Sequence, residues 1–271
     1  MGKRIILTKE QEDQIIYNYT ELHMGQKRAG AFIPVSDHIV KKVLLKYNIP
    51  IKSIQETNVN KLWVNHEYFK TQSEDMAYWI GILGSDGSVN RDKNMVYIEL
   101  NRGDKELLEK LNKSIENERP VKDYVTGRDY ENSKLYFYSR EIKQDLSKYG
   151  IVPNKTYSED YCFPSLLSKE FYPDYIRGLF DGDGSVKITG VSPTFQIDIG
   201  KYEIAKKIVA FFKEKNIDLS ISSLPKKNVT IYRVYGYGRE KLLSIYKLLY
   251  STKSDLFLKR KKEKFETILS I

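Results

Sequence analysis

Two aspartates, Asp86 and Asp183, are the residues whose type and setting point most directly to chemistry. Each lies near the end of one of two matching segments, Ala77-Tyr-Trp-Ile-Gly-Ile-Leu-Gly-Ser-Asp-Gly-Ser-Val89 and Asp174-Tyr-Ile-Arg-Gly-Leu-Phe-Asp-Gly-Asp-Gly-Ser-Val186, and the two acids stand 97 positions apart. Gly81 and Ser85, like Gly178 and Gly182, are four apart and share one helix face. Facing stripes of small residues let helix backbones approach closely. Packing the copies together brings both acids to adjacent helix C-termini, where helix-end charge and like-charge repulsion oppose them. A hard divalent cation shared between carboxylates and phosphate oxygens reverses that sign. Two blander readings compete: a plain helix stop at each acid, and a purely structural seam between duplicated helices. An uncompensated acid kept at the seam in both copies argues against the second. An EF-hand loop at Asp181-Gly-Asp183-Gly-Ser185 is excluded, because Val186 stands where its glycine belongs and Ser192 where its closing glutamate belongs.

The elements that must position these acids also run twice. After the first segment, Met95-Val-Tyr-Ile-Glu-Leu-Asn101 alternates as a strand, and Asp104 to Leu111 has helical spacing. A strand at Lys134 to Ser139 and a helix at Arg140 to Leu146, closed by Gly150, follow. After the second segment the order recurs: Phe195 to Ile199 alternates, Glu203 to Lys213 is helical, Val229 to Tyr237 alternates, and Arg239 to Tyr250 is helical. Setting Arg140-Glu141 over Arg239-Glu240 places Lys134, Tyr136 and Tyr138 over Arg233, Tyr235 and Tyr237. Side chains alternate across a strand, so each trio shares one face. The matching parity supports duplication of whole domains.

The first sixty residues read differently. Thr8 with Glu10, Gln11 and Glu12 marks a helix start, and Ile15, Ile16, Tyr19 and Leu22 continue it until Gly25. A second, basic helix opens at Ser36-Asp37, carries Lys41, Lys42 and Lys46, and stops before Pro50. The layout resembles the helix-turn-helix region of DNA-invertase and transposase-like proteins, although the middle segment, Gln26 to Pro34, makes a poor helix. The alternative is a small helical cap with solvated lysines.

Bulk properties narrow the partners. The 271 residues suffice for one or two domains with a real core. No apolar run approaches the roughly 18 to 20 residues that cross a bilayer, and no signal-peptide core opens the chain, so a cytoplasmic protein of bacterial, phage or organellar coding is expected. The lone Cys162 rules out an internal disulfide and a cysteine-cluster zinc site, and His23, His38 and His66 are too few and scattered for a histidine site. The net charge of +9 favours polyanionic partners.

Written against a nine-letter motif, Trp79-Ile-Gly-Ile-Leu-Gly-Ser-Asp-Gly87 and Ile176-Arg-Gly-Leu-Phe-Asp-Gly-Asp-Gly184 resemble the signature of the LAGLIDADG homing endonucleases, in the double-motif, single-chain form. The resemblance runs from about Asn65 to the C-terminus, including Gly150-Ile-Val-Pro-Asn-Lys155 and Arg260-Lys-Lys-Glu-Lys-Phe265; Gly84 replaces the motif's first acid in copy one. It implies an α+β fold: two pseudo-symmetric αββαββα repeats, residues 61–165 and 166–271, forming a DNA-binding saddle of antiparallel sheets, with residues 1–60 as a helical, helix-turn-helix-like domain.

It also implies a monomeric, site-specific double-strand DNA endonuclease acting on a long, partly degenerate, non-palindromic site. Mg²⁺, replaceable by Mn²⁺ or Ca²⁺, would be held by Asp86 and Asp183 with the backbone at Ser85 and Gly182. Lys134 and Arg233 would offset transition-state charge, while Asn101 and Asp198 would position water. Glu99, Gln196, Tyr136, Tyr138, Tyr235 and Tyr237 would face DNA, joined by Lys41 and Lys42 of the N-terminal helices. The Lys259 to Lys264 run would grip phosphate or form a solvated helix face. Two alternatives use the same fold: an intron RNA maturase, and a nuclease-inactive DNA-binding regulator. An intein is not expected, since the chain neither opens with Cys or Ser nor ends in His-Asn.

Overall fold

The computed structural model describes residues 7–21, 24–33, 35–51, 63–127, 129–189 and 192–270. Leu22, Pro34 and the expected boundary at 60/61 lie outside them. The chain divides into two compact units, Met1–Trp63 and Val64–Ile271.

In the smaller unit, helix α1 (Lys9–Thr20) begins with a capping box. Thr8 Oγ1 accepts the Gln11 amide at 3.3 Å, and the Gln11 side chain accepts the Thr8 amide at 3.0 Å. A single turn, α2 (Gln26–Ala29), occupies the segment read as a poor helix, and α3 (Asp37–Lys46) follows. Ile15, Tyr19, Ala29, Val40, Val43 and Leu44 form its core. Glu12 ties the helices together, accepting from Lys46 Nζ and from the Tyr47 hydroxyl, both at 2.6 Å. Lys41 and Lys42 are exposed on α3.

The larger unit is an α+β fold in which αββαββα occurs twice. The first repeat comprises α4 (Glu74–Ser85), β1 (Gly87–Val89), β2 (Met95–Asn101), α5 (Lys105–Ser114), β3 (Lys122–Val125), β4 (Glu131–Tyr138) and α6 (Arg140–Lys148). The second comprises α7 (Tyr172–Asp183), β5 (Gly184–Thr189), β6 (Ser192–Ile199), α8 (Tyr202–Glu214), β7 (Ser220–Pro225), β8 (Thr230–Tyr237) and α9 (Arg239–Tyr250), with α10 (Lys259–Ser270) added after it. Both sheets are antiparallel and share one strand order, β1-β2-β4-β3 and β5-β6-β8-β7. The edge strand β3 has four residues and β7 reads Ser-Ile-Ser-Ser-Leu-Pro, so neither carries a clear apolar alternation for a sequence reading to find.

Inner strand residues such as Val96, Ile98, Leu135 and Phe137 in one sheet, and Phe195, Ile197 and Val234 in the other, join one continuous core with α4 and α7. Alternation leaves Tyr97, Glu99, Lys134 and Tyr136, and Gln196, Asp198, Arg233 and Tyr235, on the outer faces, all only partly buried. Gly150 closes α6 at φ +78°, a conformation other residues rarely adopt, and its Cα packs against the Cys162 backbone. Among the described residues no helix is long and apolar enough to cross a membrane.

Candidate functional site

The centre of the larger unit is the contact between α4 and α7, and glycine makes it possible. A methyl group built on Gly81 would lie 2.1 Å from the Tyr175 carbonyl oxygen, and one on Gly178 would lie 2.4 Å from the Tyr78 carbonyl oxygen. The two contacts exchange under the 97-residue offset, so the helices cross about a local pseudo-two-fold. At their C-terminal ends, Gly182 packs on Ser85 and lies close to Asp86 Oδ2, 2.9 Å from a methyl built there. Asp86 is the C-terminal cap of α4 and Asp183 the last residue of α7, so the structure brings these two acids together.

Both carboxylates keep solvent access, yet packing around the helix ends withdraws enough water to raise their pKa values. Burial is the main cause for Asp183, followed by the neighbouring Asp86 charge, and together they bring it to about 6. The unfolded value is near 3.8, so the folded state binds more protons between pH 4 and 6. Stability therefore falls as pH rises through that window and stays reduced above it. Asp183→Asn is expected to raise the melting temperature at pH 7.5 and to change it little at pH 4. A melting temperature unchanged or lowered at pH 7.5 contradicts this account.

Two lysines act on the acids. Lys155 Nζ donates to the carbonyls of Leu83 at 2.8 Å and Gly87 at 2.7 Å, and also to that of Ser85. Lys261 Nζ repeats the arrangement in the second copy, donating to Phe180 at 2.9 Å and to Gly182 and Gly184 at 2.8 Å each. Each ammonium thus ties residues i, i+2 and i+4 across the end of one motif helix. The electrostatics are crossed. Between the two motif acids, Asp183 weighs more than Asp86 on Lys155 and Asp86 more than Asp183 on Lys261, although the buried Asp181 of α7 weighs most on Lys261. Burial lowers both lysines to about 8, so they remain largely charged near neutrality.

The other candidates sit on the sheets. Lys134 Nζ pairs with Glu99 Oε1 at 2.5 Å, and Arg233 holds Asp198 with two bonds of 2.7 and 2.8 Å. The register sets Glu99 opposite Lys134 and Asp198 opposite Arg233, so Glu99, not Asn101, is the counterpart of Asp198. The span between the paired valine of the first strand and its partner is two residues longer in copy two, Val186 to Phe195 against Val89 to Val96, which breaks the uniform offset. Asn101 instead caps the turn after β2 by accepting the Gly103 amide at 2.9 Å. Tyr136, Tyr138, Gln196, Tyr235 and Tyr237 lie on the outer faces.

The motif's asymmetric position is filled differently in each copy. Asp181 is buried and accepts from the Tyr78 hydroxyl at 2.7 Å and the Leu258 amide at 2.8 Å. Beside Gly84, Tyr161 donates its hydroxyl to the Gly84 carbonyl at 3.0 Å. The Lys259 to Lys264 run forms the start of α10 and is not a uniform phosphate grip. Lys261 turns inward and Arg260 pairs with the buried Asp104 at 2.9 Å, leaving Lys259 and Lys264 exposed.

Sequence reasoning missed the lysine clamps, although both stand in stretches that carry the resemblance. Their sequence signal is a lysine soon after the last helix of each repeat, and nothing in spacing says where its ammonium goes. Among the described residues no group of three or more His, Cys, Asp or Glu side chains is placed to hold a metal ion.

The chain matches the family described as the WhiA LAGLIDADG-like domain over residues 75–144 and 173–269. An uncharacterized protein of Methanocaldococcus jannaschii is 28% identical over 203 residues, covering 72% of this chain and 69% of that one. Full-length DUF199/WhiA from Thermatoga maritima is similar at a TM-score of 0.47 and 16% identity over 76% of this chain, which spans 64% of that protein, under two thirds of its length. The LAGLIDADG meganuclease I-AabMI bound to uncleaved DNA is similar at a TM-score of 0.48 and 13% identity, covering 71% of this chain and 88% of that one.

Proposed function

Because the chain belongs to the WhiA LAGLIDADG-like domain family, we propose that it is a DNA-binding regulator that holds duplex DNA on the outer faces of its two sheets without cutting it. The observation that carries this reading is the lysine clamp at each motif helix. The resemblance to homing endonucleases implies metal ions held by each carboxylate together with the Ser85 and Gly182 backbone. Both of those carbonyls accept an ammonium. A dication and an ammonium about 4 Å apart repel by roughly 8 kcal/mol at an effective dielectric constant near 20. The residues therefore do not fit metal ions held in that way. Lys155 and Lys261 already supply positive charge to the acid pair, and Lys134 and Arg233 are engaged by Glu99 and Asp198.

The faces supply what duplex binding needs: tyrosines, amides and cations at alternating strand positions, on a chain of net charge +9. The smaller unit would add the exposed Lys41 and Lys42 of α3. One observation favours a second reading, a Mg²⁺-dependent endonuclease: both acids are present, adjacent and open to solvent, and carboxylate oxygens are the donors a hard dication takes.

The test selects duplexes that bind the full chain from a random library, then measures affinity and cleavage on that pool. Salt-sensitive binding with and without Mg²⁺, and intact duplexes, are the expected results. Mg²⁺-dependent double-strand breaks that disappear in Asp86→Asn and Asp183→Asn replace the regulator with the nuclease. Retention of structured RNA with no affinity for any duplex replaces both with the intron-RNA alternative.

A further inference from the structure

The two sheets share a fold but present different chemistry. On the first, every outward tyrosine of the central strands lies under a cation: Lys134 Nζ is 3.8 Å from the Tyr97 ring centroid, Arg119 is 5.3 Å from Tyr136 and 5.1 Å from Tyr138, and Lys122 Nζ is 5.3 Å from Tyr136. Such stacks fix the cations over the face and keep the rings from meeting a base edge directly. The Tyr136 phenol responds, held below its ordinary pKa chiefly by Lys122.

The register gives the second sheet's equivalents one by one. Ser222 stands opposite Arg233 where Lys122 stands opposite Lys134, and Gln196 opposite Tyr235 where Tyr97 stands opposite Tyr136. Leu224 and Ile231 replace Tyr124 and Asn132. No cation is stacked on Tyr235 or Tyr237 among the described residues; their rings pack on each other at 5.3 Å, and Tyr237 is raised mainly by its contact with the Tyr235 hydroxyl. Beyond the Arg233–Asp198 pair and the exposed Lys187 of β5, which stands opposite Thr194, the second face carries an amide, hydroxyls and two aliphatic side chains. These groups suit base edges: a glutamine amide matches adenine N6 and N7, and aliphatic carbons meet the thymine methyl.

We infer that the two repeats divide the labour of DNA recognition: the first sheet, through Arg119 and Lys122, grips phosphate with little regard to sequence, and the second sheet, through Gln196, reads an A·T-containing half-site. The inference rests on the duplex-binding reading above. Charge complementarity commits the first face to a polyanion, while pairing of unlike groups at equivalent positions makes the two half-sites unequal.

The experiment uses the full chain and duplexes selected from a random library, with affinity then measured across a salt series. Selected sequences are expected to carry their information in one half, with the other half nearly free. Gln196→Ala should lower affinity for the selected site on the order of ten-fold and flatten the preference at one position, leaving the salt slope unchanged. Lys122→Ala and Arg119→Ala should weaken selected and random duplexes alike and each reduce the salt slope by about one. Equal information in both halves, or a Lys122→Ala protein with altered base preference, overturns the division while leaving duplex binding intact. Failure of the unmodified chain to bind any duplex overturns the underlying reading as well.

Discussion

Gly81→Ala is expected to destabilise the larger unit by about 3 kcal/mol. In an ordinary helix interior the same exchange stabilises by roughly 1 kcal/mol, so the sign itself is diagnostic. The new methyl would stand 2.1 Å from the Tyr175 carbonyl oxygen and 2.8 Å from the Gly178 Cα, and backbone atoms of a packed helix cannot yield locally. The helices must separate, and their separation opens the core that contains Trp79, Leu83, Tyr175 and Phe180. Gly178→Ala should behave alike, because it meets the Tyr78 carbonyl oxygen at 2.4 Å. Gly84→Ala, three residues along the same helix, is the control. Its nearest neighbour is the Leu179 Cδ2 methyl at 3.1 Å, a side-chain end that can turn away, so near-neutral stability is expected. Urea unfolding followed by tryptophan fluorescence reads the difference, with Trp79 buried on that helix. Equal stability of Gly81→Ala and Gly84→Ala would mean the close crossing is not what the fold depends on.

The repeated architecture was readable because its signals are local and periodic. Motif helices show small residues at four-residue spacing, and the central strands β2, β4, β6 and β8 alternate apolar and polar residues strongly enough to fix which face is buried. The parity that set Lys134 over Arg233 agrees with the observed register. Edge strands β3 and β7 escaped notice, and with them Lys122 and Ser222, the residues in which the two sheets differ most. Asn101 and Asp198, given one role in the sequence analysis, are not register equivalents, and the reason is definite. A uniform offset cannot survive a two-residue length difference in one hairpin, whereas cross-strand pairing does not depend on length. The acid pair was legible from its motif, but its counter-charges were not. A lysine seven residues past α6 and another at the start of α10 reach the same kind of site from different local structures, and only tertiary packing makes them equivalent.

Those lysines yield the other large effect. Lys261→Met is expected to cost about 3 to 5 kcal/mol, the range for removing one partner from a buried charged group. Lys261 is only 9% exposed, and its loss takes one donor from each of the carbonyls of Phe180, Gly182 and Gly184 and leaves Lys155 as the one clamp ammonium acting on Asp86 and Asp183. The crossed arrangement makes a sharper claim than destabilisation. Asp86→Asn should recover more of the Lys261→Met loss than Asp183→Asn does, and for Lys155→Met the order should reverse. A structural filler role for the lysines predicts no recovery from either acid variant, since the carbonyls still lack the ammonium. Double-mutant cycles on urea unfolding measure these couplings directly. Coupling confined to the acid on the same helix would contradict the crossed account. Coupling across the pair would establish that each lysine holds one motif helix by its backbone and the other by its acid, which joins the two halves of the centre.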